Sequence, residues 1–198
     1  MDSNNYFVSS INYLDRAQDV FDKEDVTTWF YSALEIRFGV EARMREYLEF
    51  HKQASEKMKK QYKPAVLDKH IASIFRKGNN EEAIFTINPG SSESIKLKYT
   101  PVTKELIDIV KNLGAYLHAP RDKFIGSDNF WSNLEFYITR GIELLKYANS
   151  GELLGIPLIN RETNQIEIFS CINKDLKDKI ILQGAEEIII HVEYKNID

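Results

Sequence analysis

The stretch EDVTTWFYSALEIRFGVEARMREYLEFHK, residues 24–52, has the clearest helical periodicity in the chain and decides the fold class. At 100° per residue, most of its apolar side chains fall on one broad face. That face contains Val26, Trp29, Phe30, Ala33, Leu34, Ile36, Val40, Met44, Tyr47 and Leu48. The pattern predicts a long amphipathic helix that packs against other helices.

Two charged residues, Arg37 and Glu41, fall inside this apolar arc, one helical turn apart. Side chains four residues apart on a helix can contact each other. Burying either charge alone would cost several kcal/mol, so we expect the two to pair or to be satisfied by a neighbouring element. Two interpretations remain open: a structural ion pair at the edge of the core, or a polar site between helices.

The composition is that of an ordinary soluble globular protein, with 43% hydrophobic and 28% charged residues in 198. There is no apolar run long enough to span a membrane and no signal-peptide pattern at the N-terminus. The single cysteine, Cys171, excludes an internal disulfide and fits a reducing cytoplasm, where it would be a small core residue. The four histidines are scattered, so we expect no metal site and no cofactor.

The net charge of −4 is unevenly distributed, because residues 43–77 hold ten Lys and Arg against four Asp and Glu. The densest part contains Lys57, Lys59, Lys60, Lys63 and Lys69. A basic segment of this kind is either a solvated helix face or a contact for phosphate or an acidic partner.

Further helices are indicated on both sides of the central stretch. Residues 4–22 predict an opening helix whose inward face includes Phe7, Ile11 and Leu14, and Glu24 and Asp25 would lie in the first turn of the next helix. The short break between them predicts an antiparallel hairpin. Similar patterns predict helices over residues 64–78, 100–118 and 127–149.

Two regions have the period of a strand. Residues 83–99 predict a β-hairpin that turns at residues 88–92, and residues 152–198 predict three or four short strands. The strand at residues 187–194 is apolar enough to need cover from this chain or from a partner's sheet. The sequence therefore predicts an α+β fold. A bundle of two antiparallel helical hairpins with an inserted β-hairpin spans residues 1–150, and a small antiparallel sheet spans residues 151–198.

The segment KNLGAYLHAPR, residues 111–121, is where a reactive group is best placed. His118 ends a helix just before a loop that contains Pro120, so the helix dipole and nearby cations can set its protonation. The alternative is a histidine that only caps the helix. The chain lacks the P-loop, GxGxxG, HExxH and GxSxG motifs.

Two antiparallel helical hairpins with a polar-then-histidine segment ending a later helix resemble the HEPN family of small helical bundles. The resemblance implies either a metal-independent RNase of prokaryotic defence and toxin–antitoxin systems or a catalytically silent RNA-binding or scaffold module. Active members carry an arginine, usually followed by Asn, Asp or His, with a histidine a few residues later. They commonly dimerise so that two such motifs face one cleft.

In this sequence Lys111-Asn112 occupies the place of the Arg-Asn pair, with His118 as the following histidine. Arg121 lies close by, on the other side of His118. Lysine lacks the rigid donor fork with which arginine binds a phosphate. The resemblance also makes Arg37 and Glu41 candidates, because polar residues of the second helix contribute to some HEPN sites.

The first functional expectation is a non-catalytic HEPN-like accessory subunit of a cytoplasmic defence or toxin–antitoxin assembly. It would act as a homodimer or in a hetero-complex through protein and possible RNA contacts, without a membrane. The first alternative is a divergent metal-independent RNase that uses His118. The second alternative is a simple nucleic-acid-binding protein that uses the basic segment 43–77.

Overall fold

The computed structural model describes residues 6–51, 54–75, 81–88, 94–118, 128–155 and 189–197. These residues form six helices and three strands. In chain order they are α1 (Ser10–Phe21), α2 (Trp29–Phe50), α3 (Glu56–Lys59), α4 (Pro64–Phe75), β1 (Glu81–Asn88), β2 (Ile95–Tyr99), α5 (Lys104–Tyr116), α6 (Asp128–Asn149) and β3 (Ile189–Asn196). The predicted α+β class, mainly helical with antiparallel strands, is confirmed.

Helix α2 is the centre of the molecule, because α1, α4, α5 and α6 all pack against it. The predicted apolar stripe is confirmed along its middle and end, where Ile36, Val40, Met44 and Leu48 are fully buried. No helix in the described ranges is both long and apolar enough to cross a membrane.

The start of α2 differs from the prediction, since the helix begins at Trp29 and leaves Glu24 and Asp25 in the preceding turn. The Asp25 carboxylate accepts hydrogen bonds from the Thr27 amide at 2.9 Å and from its hydroxyl at 2.8 Å. An aspartate that binds the backbone two residues later stabilises a turn instead of a helix. Val26, expected on the buried face, is consequently exposed.

Helix α1 also begins later than predicted, at Ser10. Ser9 is the N-cap, and its hydroxyl accepts a hydrogen bond from the Asn12 amide at 3.4 Å. Phe7 therefore lies outside the helix and is 63% exposed, and Ile11 is exposed as well, so their prediction as inward residues was wrong. Tyr13, Leu14 and Ala17 form the buried face instead.

Helices α1, α2 and α6 approach closely around Gly39. A Cβ atom at Gly39 would lie 2.6 Å from Cδ2 of Leu145 in α6, a separation that packed atoms do not tolerate. The Ser10 hydroxyl donates to the Gly39 carbonyl at 2.9 Å and accepts from the Asn149 amide at 3.0 Å. Small and polar side chains thus hold the three backbones together at this crossing.

The described strands form one antiparallel sheet in the order β2-β1-β3. The predicted hairpin is confirmed as β1 paired with β2, and alternate residues such as Ala83, Phe85 and Ile87 face the core. Strand β3 pairs with β1 along its whole length, so one edge of this C-terminal strand is covered within the chain. The division of the chain at residue 150 stays a prediction.

Of the other predicted helices, α4 begins at Pro64 and α6 ends at Asn149 as expected. Helix α5 begins at Lys104 instead of near residue 100, because its N-cap is Thr103, whose hydroxyl accepts from the Leu106 amide at 3.1 Å. The short helix α3 was not predicted. The expected end of α4 near residue 78, the hairpin turn, Cys171 and the strands expected over residues 156–188 lie outside the described residues.

Candidate functional site

A cleft of about 620 Å³ lies between the first turn of α4 and one face of α5, with α2 contributing to its lining. We call it the α4–α5 cleft. Four residues that the sequence singled out line it together: Arg37 from α2, Lys63 at the start of α4, and Lys111 and His118 from α5 and its end. The structure thus brings together candidates that are as far apart as 81 positions in the chain.

The α5 side of the cleft follows from helical spacing. Residues 107, 111, 114 and 118 recur at intervals of three and four, so they share one face, and all four line the cleft. The opposite face, with Leu106, Ile109 and Leu113, is buried in the core. Lys111 and His118 are seven residues apart, which places their Cα atoms about 10 Å apart along the axis.

Arg37 reaches the cleft as one half of the predicted ion pair, which the structure confirms. Its Nε donates to Oε1 of Glu41 at 3.1 Å. The Arg37 side chain is 32% exposed, whereas Glu41 is only 6% exposed. Burial raises the pKa of the Glu41 carboxyl, and the bond to Arg37 offsets only part of that effect.

Positive charge predominates on the lining of the cleft. Arg37, Lys63 and Lys111 stand against one carboxylate, Asp108, while Glu41 lies behind Arg37. The first turn of α4 also lines the cleft, and a helix N-terminus carries partial positive charge. The His118 ring is exposed and has no hydrogen-bond partner among the described residues. This arrangement suits a bound anion.

The other predicted contact residues lie elsewhere. Asn112 is exposed and does not line the cleft, and Arg121 is outside the described residues. Among the lysines of the basic segment, Lys59 pairs with Glu56 at 3.1 Å. The exposed members that do not line the cleft are Lys57, Lys60 and Lys69.

Arg43 is the polar residue whose role the sequence analysis missed. It was counted in the basic segment, but it is only 5% exposed. Its Nε donates to the Ala148 carbonyl at 3.0 Å and to the Tyr47 hydroxyl at 3.1 Å, and its Nη2 donates to the Gly151 carbonyl at 3.2 Å. Glu46 accepts from Nη1 at 3.2 Å. Arg43 therefore caps the C-terminal end of α6 and is not available to a ligand.

Thr100 completes this group, which we call the Arg43 cluster (Arg43, Tyr47 and Thr100 around the end of α6). The Thr100 hydroxyl donates to the Ala148 carbonyl at 3.0 Å and accepts from the Gly151 amide at 3.1 Å. The Tyr47 hydroxyl donates to the Thr100 carbonyl at 2.6 Å. The one sequence signal was the spacing of Arg43, Glu46 and Tyr47 along one helix face.

A second cavity of about 510 Å³ lies between the start of α5 and the end of α6. Its arginine, Arg140, already binds both oxygens of Glu105, at 2.6 and 2.9 Å, and Glu143 at 3.0 Å. Because these carboxylates neutralise Arg140, this cavity is a weaker candidate for an anion than the α4–α5 cleft.

In the part of the chain that the structure describes, no three His, Cys, Asp or Glu side chains are grouped so that they could hold a metal ion. No family model matches the chain, and neither the curated proteins nor the solved structures contain a significant match to it.

Proposed function

We propose that the protein is a HEPN-like, non-catalytic module that contacts the phosphodiester backbone of RNA through the α4–α5 cleft. It would serve as a homodimer or as a subunit of a hetero-complex, in a cytoplasmic prokaryotic defence or toxin–antitoxin assembly. The HEPN part of this proposal is supported by the order of the helices and by the position of Lys111-Asn112 and His118 at the end of a later helix.

The observation that carries the proposal is the convergence of Arg37, Lys63 and Lys111 on one cleft. Phosphate oxygens are the usual ligands of such side chains in nucleic-acid complexes, and each contact releases a counterion. Among the described residues of the lining, one carboxylate, Asp108, opposes them. The partial positive charge at the start of α4 acts in the same direction.

Binding of fluorescently labelled single-stranded RNA across a salt series tests the proposal. RNA with 2′-O-methyl groups should be used so that cleavage cannot interfere. We expect the logarithm of the affinity to fall linearly with the logarithm of salt concentration, with a slope of about −0.7 for each phosphate contacted. Arg37→Gln and Lys111→Gln should each weaken binding and reduce that slope by roughly one contact.

Two lysine variants locate the interface. Lys146→Gln, on the exposed surface of α6, is the matched control and should bind as the wild type does. Lys57→Gln tests the basic segment, because Lys57 is exposed and does not line the cleft. A large loss with Lys57→Gln but none with Arg37→Gln would reject the cleft and favour a plain nucleic-acid-binding surface on α3 and α4.

A second candidate function, metal-independent RNA cleavage, is favoured by the presence of His118 in the same cleft as Arg37 and Lys111. His118 would transfer a proton at a reacting oxygen, and the two cations would stabilise the extra negative charge on the phosphate. Lysine in place of arginine and the lack of a described partner that orients His118 make this the alternative.

Incubation of unmodified RNA with the purified protein in EDTA separates the two functions. The non-catalytic module should leave the RNA intact while it still binds. Clean cleavage that is lost in His118→Ala would instead establish the RNase. Light scattering on the same preparation gives the oligomeric state, for which we expect a dimer or, with the native partner, a hetero-complex.

A further inference from the structure

Gly114, in α5, is the feature of the cleft that packing does not explain. At other helical glycines a side chain would collide with a neighbour: a Cβ at Gly141 would lie 3.1 Å from Cγ2 of Ile36, and Gly39 is closer still to Leu145. A Cβ at Gly114 would meet no described atom within 4 Å. With respect to the described residues, the space above Gly114 is therefore open.

Glycine at this position is unfavourable for the helix itself. Within a helix it loses more conformational entropy on folding than other residues and is poorer than any residue except proline. A glycine that neither a close described neighbour nor a turn requires calls for another reason, and the approach of a ligand to the backbone is the one that fits a cleft.

The position of Gly114 on the helix points the same way. It lies three residues after Lys111 and four before His118, on the face that all three residues present to the cleft. Arg37 lies in the same lining. A ligand seated over Gly114 would have a basic side chain within one helical turn on one side and an imidazole on the other.

We infer that the cleft takes a single nucleotide unit, seated against the backbone of α5 at Gly114. Its phosphate lies between Lys111 and Arg37, and its less polar part lies against Ile107, Ala115 and Pro64. The inference rests on the proposed function and makes Gly114 the residue that determines whether the ligand fits. Any side chain at position 114 would occupy the seat.

The lining also limits how the base is recognised. No Phe, Tyr or Trp is among the described residues that line the cleft, so none of these residues offers an aromatic ring on which a base could stack. We therefore expect affinity to depend on the phosphate and on the size of the unit, and only weakly on which base it carries.

The test compares Gly114→Ala and Gly114→Leu with the wild type, measured for thermal unfolding and for affinity to a 2′-O-methyl RNA oligonucleotide. Both variants should unfold at the same temperature as the wild type or higher, because both residues favour helix and the space is empty. Affinity should fall a few-fold with alanine and at least tenfold with leucine. Asn133→Leu, at an exposed position of α6, is the control. It should change neither the affinity for the oligonucleotide nor the salt dependence of that affinity.

A free nucleoside monophosphate distinguishes the two sources of the ligand. Competition by the monophosphate at concentrations similar to those of the oligonucleotide assigns the seat to free nucleotides. Competition by the oligonucleotide alone assigns it to one unit of an RNA chain. Both results support a nucleotide position at Gly114, provided that Gly114→Leu no longer binds the ligand that competes.

The failures of the inference and of the proposed function are distinguishable. If Gly114→Leu binds with wild-type affinity and Arg37→Gln binds more weakly, the nucleotide position at Gly114 is overturned. The proposal of an RNA-binding cleft then still stands. Wild-type affinity in both variants, or no binding by the wild type, would overturn both. If Gly114→Leu unfolds at a lower temperature than the wild type, Gly114→Ala decides, and unchanged affinity in that variant then overturns the seat.

Discussion

Arg37 and Arg43 lie on the same helix, less than two turns apart, and their surroundings are opposite. Arg43 is buried, and all three of its guanidinium nitrogens donate to acceptors from α2 and the end of α6. Arg37 is one-third exposed, lines a cleft and, among the described residues, donates one hydrogen bond, from Nε to Glu41. The donors of Arg43 are used by contacts within the fold, whereas Arg37 keeps donors available to a ligand.

The same contrast holds for the histidines. His51, the C-cap of α2, is 3% exposed, whereas His118 is exposed at the mouth of the α4–α5 cleft. Burial stabilises the neutral form of an imidazole, and exposure lets it take part in binding. The difference teaches that residue type and charge density along the chain do not separate structural from functional side chains. What separates them is whether other residues of the protein bind their polar atoms and whether solvent can reach them.

Removing Arg43 should have the largest effect. Arg43→Met removes the donor to the Gly151 carbonyl and to Glu46 and one of the donors to the Ala148 carbonyl, and we expect the free energy of unfolding to fall by about 4 kcal/mol. Urea unfolding at neutral pH measures it. Arg37→Met should lose less, about 2 kcal/mol, because it removes one hydrogen bond instead of four but leaves the buried Glu41 carboxylate without that partner. Equal losses at the two positions would contradict the contrast.

Acid should destabilise the protein through His51. Burial lowers its pKa from 6.5 to about 4. Between these values the unfolded chain binds a proton that the folded protein does not, so the free energy of unfolding should fall by about 3 kcal/mol as pH falls through this window. Unfolding measured at pH 7 and pH 4.5 checks it. His51→Gln should remove most of that loss, whereas His118→Gln should keep it, and a loss of the same size in His51→Gln would reject the assignment.

The two glycines should respond in opposite directions. Gly39→Ala forces a Cβ against Leu145, and we expect a loss of about 2 kcal/mol. Gly114→Ala should gain about 1 kcal/mol because the helix propensity improves and nothing is displaced. Thermal unfolding of both variants measures the pair. A loss at Gly114 as large as that at Gly39 would mean that position 114 is packed after all.

The smallest effect on stability should come from the partner of Arg37. Glu41→Gln keeps an acceptor for the Arg37 Nε. It also removes a buried carboxyl whose pKa is already raised by burial. The free energy of unfolding should therefore change by no more than about 1 kcal/mol. Because a carboxylate holds the guanidinium more firmly than an amide does, RNA affinity should fall a few-fold. Unchanged affinity would show that Glu41 does not position Arg37.

Short-range pattern accounts for much of the fold. The stripe along α2, the inward residues of α5 and the alternation in β1 depend on spacings of two, three or four residues, which the sequence displays directly. Local chemistry also explains the errors, since the Asp25 turn and the Ser9 cap decide where α2 and α1 begin. Those short polar contacts outweigh an apolar period that runs past them.

Part of the site was predictable in the same way. Lys111 and His118 share a helix face because seven residues make two turns, and Arg37 and Glu41 pair because four residues make about one. Arg43 was beyond reach, since its acceptors lie more than a hundred positions away at the end of α6. From the sequence alone, an arginine in a basic segment is expected to be solvated. Only the folded structure shows that distant carbonyl groups bind it in the interior.

By itself, the sequence determined the central helix, the positions of most other helices and of the β1–β2 hairpin, and the chemical types available at each face, because these follow from periodicity and local hydrogen bonding. The tertiary structure alone decided that Arg37, Lys63, Lys111 and His118 line one cleft, that Arg43 does not, and that no described atom fills the space at Gly114. The physical reason is that burial and electrostatic environment depend on which distant segments pack together, and spacing along the chain carries no record of that packing.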